Sequence, residues 1–593
     1  MQQKADVVAR PRISRLSLTG LVWALLALLL VLPQLRGEPI SFVGDDVMRL
    51  VNVHDLLNGQ NWFDNFQHRT NTPWGAPMHW SRLIDGPMAL ILAGLRLFLD
   101  PTAADTALQL IWPLLVLLGL AGTLVILADW LAGRSAAVAV VLLAPLAVSI
   151  YADFHPGDLD HHNVVQVLCL VAILATLRAR QSVGWAVAAG LAAATVLAIA
   201  SEGLAVVAPQ LLLIPLFWVI DPARSARPML AFGASFALGE LAHLMLVTPP
   251  ADYLTTQCDA LSFTYVSMAW LYGLAIACAW LVTGRRAAPA WQRLGVLAVA
   301  GLVAMAAALA ISPACLHGPY GNLEPWLVDM LLAPIGEAQP LMTWMIPLRP
   351  VLAALILPVT GLGACIAAVL MHRGERRIDW LAMLAFLAFS MIVTFAQVRG
   401  LRLATIIALL PAAWALATAW RAFKPNQTLW TTLRLVGLAF AFMGLLHLVV
   451  AKMVYEALTP PSYEVEDVVF ADDLKACVMP EAYARLQQLP TGRVMSSLLI
   501  GRQILYETDH SIVSSAYHRN VAGLKDAVRF FGGGEAEARA VVDERALDYL
   551  VLCRGVQPGD ALEGMPDFDA SGFDWLTPIS APDEPLQIYR IMR

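Results

Sequence analysis

Charge is scarce in this chain. Of its 593 residues only 14% are Asp, Glu, Lys or Arg, against about 25% in an ordinary soluble protein. Hydrophobic residues make up 59% and mean hydropathy is +0.65. Soluble cores cannot enclose that much apolar surface, so a length fit for about four soluble domains reads instead as a polytopic membrane protein. A net charge of -6 and a pI near 6.1 leave no basic stripe, and no nucleic-acid partner is expected. Disordered chains are poor in apolar residues, so disorder is excluded too. Cysteine is sparse, with seven residues and no CxxC pair, which leaves zinc-ribbon and thioredoxin-like readings without a basis. No GxxxxGK[ST] loop is present to cradle a nucleotide. No internal repeat or low-complexity tract stands out.

What is abundant is long apolar runs. About thirteen of roughly 20 residues each, some of marginal length, read as transmembrane helices: 16–35, 107–131, 136–151, 164–177, 183–200, 204–220, 229–247, 265–282, 294–311, 350–371, 380–395, 403–420 and 435–454. Lys4, Arg10, Arg12 and Arg15 precede the first run, which leads into Pro33-Gln34-Leu35-Arg36 without a small-residue cleavage site. It reads as a retained signal anchor with a cytoplasmic N-terminus. The positive-inside rule checks the count. Counting alternately, one side collects Arg134, Arg178, Arg180, Arg224, Arg227, Arg285, Arg286 and Arg293, then Arg373, Arg376, Arg377, Arg421, Lys424 and Arg434. An error of one helix would scatter them. The apolar stretch Met88–Leu99 must then be interfacial or re-entrant.

This topology divides the chain into a membrane domain, 1–454, with long outer loops at about 36–106 and 312–349, and a small extracytoplasmic α/β domain, 455–593. The tail carries about half of the acids. Within it, Arg493–Ile500, Ile512–Ala516 and Tyr549–Cys553 read as strands, Gly523–Phe531 and Glu535–Glu544 as helices. Cys169, Cys278 and Cys365 fall inside spans as packing residues. Cys258, Cys315, Cys477 and Cys553 fall on the outer side, where disulfides form. The economical pairing is Cys258–Cys315 and Cys477–Cys553, although spacing alone does not fix connectivity.

Because acids are rare, those at the outer rims matter. Val43-Gly44-Asp45-Asp46-Val47 opens the first outer loop. Gly157-Asp158-Leu159-Asp160-His161-His162-Asn163 forms a tight connection between two runs. Glu337 stands alone in Ile335-Gly336-Glu337-Ala338-Gln339. Carboxylates with an imidazole suit a divalent cation such as Mn²⁺ or Mg²⁺, which could bind a phosphate leaving group. Each has a plainer reading: a solvated or capping Asp pair, a capping Asp with two surface histidines, and a solvated Glu. Trp74, His79, Trp80 and Arg82 can touch a sugar or anchor at the interface. Glu202 can bind a sugar or cap a helix. Tyr517-His518-Arg519-Asn520 can touch an acceptor or form a surface turn, and Gly532-Gly533-Gly534 separates two helices.

The order of these motifs resembles the catalytic subunit of oligosaccharyltransferase and, more broadly, the GT-C glycosyltransferases that use polyprenyl-phosphate sugar donors. Asp46-Val47-Met48, followed by the stretch Asn71 to Asp85, is similar to that subunit's first acidic motif and the stretch after it. Asp160-His161-His162 matches the DHH form found in archaeal members. Ile335-Gly336-Glu337 is similar to the TIxE motif of the fifth outer loop, and Arg399 and Arg402 resemble the phosphate-contacting arginine. The resemblance runs from about Leu16 to Val454. It implies thirteen spans of GT-C type and an outward C-terminal domain. It also implies a metal held by Asp46, Asp160, His162 and Glu337, with Asp45, Asp158 and His161 supporting. Catalytic roles are expected for Asp46, Asp160 and Glu337, and donor-phosphate contacts for Arg399 and Arg402. The WWDYG motif that reads the acceptor sequon is absent from this tail, which puts protein N-glycosylation in doubt.

The expected activity is metal-assisted transfer of a sugar or oligosaccharide from a polyprenyl-(pyro)phosphate donor to an extracytoplasmic glycan, lipid or protein. The expected place is a bacterial inner membrane with the C-terminal domain in the periplasm. The competing class is a transporter, flippase or non-catalytic assembly subunit. A transporter would carry ionisable groups at mid-membrane, where these runs read as almost purely apolar.

Overall fold

The computed structural model describes residues 13–283, 288–321, 323–332, 335–344, 350–458, 473–562 and 564–592. The basic residues Lys4, Arg10, Arg12, Arg285 and Arg286 lie outside the described residues, as do the last residues of the second long loop, 345–349, and most of the start of the tail, 459–472.

The chain begins with α1 (Arg15–Leu35), α2 (Asp45–Leu57), α3 (Arg82–Leu95), α4 (Pro101–Ala132), α5 (Arg134–Leu143) and α6 (Val148–Asp153). It continues through α7 (His162–Ala179), α8 (Val183–Ile199), α9 (Leu204–Ile220), α10 (Pro222–Val247), α11 (Phe263–Thr283) and α12 (Ala290–Ile311). After α13 (Pro325–Leu332) come α14 (Ile356–Met371), α15 (Glu375–Ala396), α16 (Gly400–Phe423), α17 (Leu429–Ala441) and α18 (Gly444–Leu458). Among the described residues ten helices are long and apolar enough to cross a membrane, and α17 with α18, bent by 68°, makes an eleventh if counted as one span. The runs expected at 136–151 and 183–200 are shorter apolar helices, Arg134–Leu146 and Val183–Ile199. A helix bonds every interior backbone group within itself, which hydrocarbon requires of a spanning segment.

Helix starts follow local chemistry. Asp100 caps α4 by accepting from Ala103 N, with Pro101 in the first turn, and Asp221 and Pro222 repeat the device at α10. The bundle shares one core to which α1, α4, α5, α7–α11 and α14–α16 contribute. The expected arginine side is drawn together at one end. Arg15 and Arg134 both pair with Asp129 at 2.5 and 3.4 Å. Arg376 donates to Trp130 O at 2.8 Å, and Arg180 and Arg224 share Glu375. Arg180 caps the far end of α7, whose 18 residues put roughly 27 Å between it and the DHH turn. One acid departs from the apolar reading of the spans: Glu240 in α10 is fully buried, and neither carboxylate oxygen has a hydrogen-bond partner.

In the outer loop, the short strands β1 (Phe66–Gln67) and β2 (Ala76–Pro77) pair antiparallel. The tail folds as a five-stranded sheet of β3 (Arg493–Ser496), β4 (Ser511–Ile512), β5 (Tyr549–Cys553), β6 (Leu576–Pro578) and β7 (Leu586–Ile591), in the order β4-β3-β5-β7-β6. β3 runs parallel to β4 and β5; β7 runs antiparallel to β5 and β6. The helices Val521–Gly532 and Gly534–Arg545 match the two expected there, and Gly534, at φ +76°, makes the turn between them. Period-2 alternation sorts the strands by face. Val494, Tyr549 and Val551 pack with Met48, Val51, Met78 and Trp80 of the first outer loop. Met495 and Leu550 pack under the two helices. The tail therefore packs on the first outer loop, with the helix Gly501–Glu507 against α2, and backbone bonds extend the contact: Thr72 N to Ile512 O at 3.0 Å and Ile512 N to Arg69 O at 2.8 Å.

The four outer cysteines pair as expected, Cys258 with Cys315 and Cys477 with Cys553, while Cys169, Cys278 and Cys365 are free.

Candidate active site

At the end of the bundle opposite the arginines, the DHH turn meets the start of α2. Gly157 has φ +104°, and a Cβ there would lie 2.3 Å from Ser41 O, so only glycine lets the two loops approach this closely. Asp46, in the first turn of α2, accepts from the amides of Leu159 and Asp160 at 2.7 and 2.9 Å. Its carboxylate thereby shapes the turn that carries Asp160. Burial, with Asp160 as a like charge nearby, pushes Asp46 up to about 7.

Asp160 sits at the centre. Its Oδ1 meets Arg49 Nη2 at 3.0 Å and His161 Nδ1 at 2.6 Å; its Oδ2 lies 3.2 Å from His162 Nε2. Burial works to raise Asp160, but His161, His162 and Arg49 outweigh it and hold the group well below the usual carboxylate range. His162 Nδ1 is 2.9 Å from Glu202 Oε1, so a second acid orients the imidazole from the start of the α9 segment. One ligand atom each from Asp160, His161 and His162 lie within 4.8 Å of one another. This mixed N/O set fits a divalent cation. Asp158 turns aside to its own loop, accepting from His155 N at 2.6 Å. Burial and the neighbouring Asp46 push it up to about 9.

Arg49 was not singled out in the sequence, yet it links the site to the scaffold. It is 1% exposed and bridges Asp160 to the fully buried Asp85, 2.9 Å from its Nη1, while Arg82 Nη1 holds the other Asp85 oxygen at 3.2 Å. Its guanidinium also stands 4.2 Å from the centroid of the Trp80 ring. The available signal was a lone arginine within the apolar stretch Val47-Met48-Arg49-Leu50-Val51, since a buried arginine needs partners.

The remaining expected residues form a neighbouring group. Glu337 is not among the clustered ligand atoms: its carboxylate pairs with Arg402 and, at 3.8 Å, with Arg399. Arg402 also reaches Asp153 Oδ1 at 3.1 Å, and Gln166 holds the other Asp153 oxygen at 2.5 Å. Backbone bonds from Arg399 N to Glu337 O and from Val398 N to Gln339 O, both 3.0 Å, stitch the loop to the start of α16. Asp45 faces the tail instead, bonded by Arg502 at 2.9 Å and Tyr517 at 3.1 Å. His518 and Arg519 bind Asp259 at 2.7 and 2.8 Å, beside the Cys258–Cys315 bridge. The tail segment 517–519 thus packs against the membrane domain and is not a surface turn.

The architecture is that of an α-helical polytopic membrane protein with a small C-terminal α/β domain. No protein-family model matches the chain, and no curated protein matches it in sequence. Solved structures do match. The archaeal oligosaccharyltransferase AglB from Archaeoglobus fulgidus, in complex with an inhibitory peptide and a dolichol-phosphate, superposes with a TM-score of 0.65 at 15% identity over 91% of this chain and 69% of its own. An Archaeoglobus fulgidus oligosaccharyltransferase tethered by a disulfide bond to an acceptor peptide containing the NVT sequon gives a TM-score of 0.62 at 15% identity, again over 91% and 69%. Its complex with Zn and sulfate gives 0.61 at 15% identity, over 91% and 68%.

Proposed function

We propose that this chain is a membrane glycosyltransferase that moves a sugar or oligosaccharide from a polyprenyl-(pyro)phosphate donor to a glycan, lipid or protein acceptor. The observation that carries the reading is that the Asp160–His161–His162 cluster and the Arg399, Arg402 and Glu337 group lie close at one end of the bundle: Glu202 bonds His162 and Asp153 pairs with Arg402, and each acid also acts through its charge on the other group. The shared fold supports it, since AglB has been captured with a dolichol-phosphate, and an Archaeoglobus fulgidus oligosaccharyltransferase with Zn and sulfate.

Each residue has a task in this reading. Asp160 and His162, with His161 beside them and Asp46 one hydrogen-bonded turn away, would hold Mn²⁺ or Mg²⁺; Glu337 would join them only by releasing its arginines. Bound there, the cation supplies Lewis-acid stabilisation of the departing phosphate. Arg402 and Arg399 are pre-positioned by Glu337 and Asp153 and offer planar donor forks to phosphate oxygens. Asp46, near neutrality in its proton affinity, suits the orientation and deprotonation of an acceptor group. Glu202 keeps His162 oriented, and Arg49 keeps Asp160 ionised and aimed. The proposed setting is a bacterial inner membrane, with the arginine end in the cytoplasm and the tail in the periplasm.

The test is a panel of labelled polyprenyl-phosphate and polyprenyl-pyrophosphate sugars incubated with purified protein, envelope extract and Mn²⁺, or with chelator. Metal-dependent loss of label from one lipid is expected. Label retained on every lipid, with and without metal, would remove the transferase reading.

A further inference from the structure

Next to the cluster lies a cavity of about 330 Å³ that none of the roles above uses. Its walls come from four parts of the chain: residues 63–81 around the β1–β2 hairpin, Ala198 of α8, residues 247–261 at and after the end of α10, and Arg519 of the tail. Two side chains separate it from Asp160: Trp80 lines it, and the Arg49 guanidinium that bonds Asp160 stands on the Trp80 ring.

The lining has a specific chemical character. Phe63, Phe66 and the buried Trp80, which Arg49 already meets, line it with aromatic rings, and Asp252 and Asp64, whose Oδ2 is held by His68 at 2.8 Å, bring carboxylates. Phe66 is fixed in place: its ring covers Gly75, where a Cβ would come within 2.9 Å of it. Phe63 remains 37% exposed. Arg519 is the single Arg or Lys among the described lining residues, and it is already taken by Asp259 and Gln257. His79 Nδ1 is buried without a hydrogen-bond partner. Burial, with His518 and Arg519 nearby, pushes the His79 imidazole well below its ordinary value, so it brings no positive charge to the cavity. A phosphate would find two carboxylates and no free cation. A neutral polyhydroxylated ring would find aromatic faces for its C–H surface and acceptors for its hydroxyls, in a cavity at the small end of the ligand-pocket range, roughly 300–1,000 Å³.

We infer that this cavity is a saccharide subsite that takes a neutral pyranose ring of one of the two substrates beside the Asp160 cluster. The role within transfer rests on the glycosyltransferase reading; the binding itself does not. A ring seated there adds affinity and discrimination between sugars, while the phosphate is left to Arg399 and Arg402.

The test is saturation-transfer NMR on the purified full-length protein with a panel of methyl pyranosides, and with inorganic phosphate as the control ligand. At least one pyranoside is expected to bind saturably, and phosphate is not expected to compete. Phe63→Ala, at an exposed side chain, and Asp252→Asn, at the rim, should each weaken that binding by about tenfold, or roughly 1.4 kcal/mol. Displacement by a polyprenyl-phosphate sugar but not by bare polyprenyl phosphate assigns the ring to the donor; displacement by neither assigns it to the acceptor. The inference is overturned if no pyranoside binds saturably, or if both variants bind as wild type does. Saccharide binding without transfer from any donor would instead remove the transferase reading and leave the subsite standing.

Discussion

Arg49 Nη2 donates to Asp160 Oδ1 at 3.0 Å while its Nη1 donates to Asp85 Oδ1 at 2.9 Å. One buried cation thus ties the central acid of the site to an acid on α3. Arg49→Met should destabilise the protein by about 3–5 kcal/mol, because it leaves two carboxylates short of their shared partner in a dry setting. Arg49→Lys keeps the charge but cannot donate in two fixed directions, and should fall between. Thermal unfolding in detergent checks the order; equal midpoints for all three proteins would contradict it.

Gly157 offers a second probe. Ala is strained at φ +104°, and its Cβ would collide with Ser41 O. The substitution should cost more than the ~1 kcal/mol that Gly→Ala yields at compatible sites. It should also loosen the amide bonds that Asp46 accepts. Faster hydrogen exchange at Leu159 and Asp160 is the expected outcome, with exchange elsewhere in α7 unchanged.

The cysteine chemistry can be counted. Seven cysteines, four of them in two bridges, leave three thiols. Denaturation without reductant should expose Cys169, Cys278 and Cys365 to alkylation and no others. Mass spectrometry should recover linked peptides for 258–315 and 477–553. Cleaving Cys477–Cys553, which closes a 76-residue separation, should cost roughly 2–5 kcal/mol in a small domain of this kind. Other linked pairs would contradict the fold of the tail and the apposition of the 258 and 315 loops.

The clamp between the tail and the membrane domain is predicted to be acid-sensitive. Burial works to raise Asp259, but hydrogen bonds from His518 and Arg519 outweigh it and hold it below the usual carboxylate range. A depressed folded-state pKa stabilises above the unfolded value, about 3.9, and the gain is lost as pH falls below it. Limited proteolysis of the 517–519 segment should therefore be unchanged from pH 7 to pH 5 and accelerate below pH ~4. Asp259→Asn should show the faster cleavage at every pH.

The spans were legible because the bilayer imposes a length and an apolar composition that can be read locally. The DHH turn and the Asp46 motif were legible for the opposite reason: acids are conspicuous where charge is scarce. Arg49 was harder to find, since its partner Asp160 is 111 residues away and nothing local shows the pairing. Glu240 was passed over because one acid barely lowers the hydropathy of a 26-residue helix. In the tail, β5 was read to the residue. The expected strand 493–500 stops at Ser496, where its ladder with β5 ends. Only two residues of β4 pair with β3, after which the chain turns toward Asn520. β6 and β7 were missed; β6 is a three-residue edge strand ending in Pro578, a position that weakens any local strand signal.

Under the proposed function, Asp160 and its neighbours perform metal-assisted transfer from a lipid phosphate. The most direct test compares wild type with Asp160→Asn, both shown folded by thermal unfolding, in release of labelled sugar from the donor panel with Mn²⁺, Mg²⁺ or chelator. Wild type should release label from one donor only with metal, and the variant should lose at least ~10²-fold in rate, the scale of removing one preorganised charge from such a site. Equal release by both proteins, or release untouched by chelator, would contradict the account.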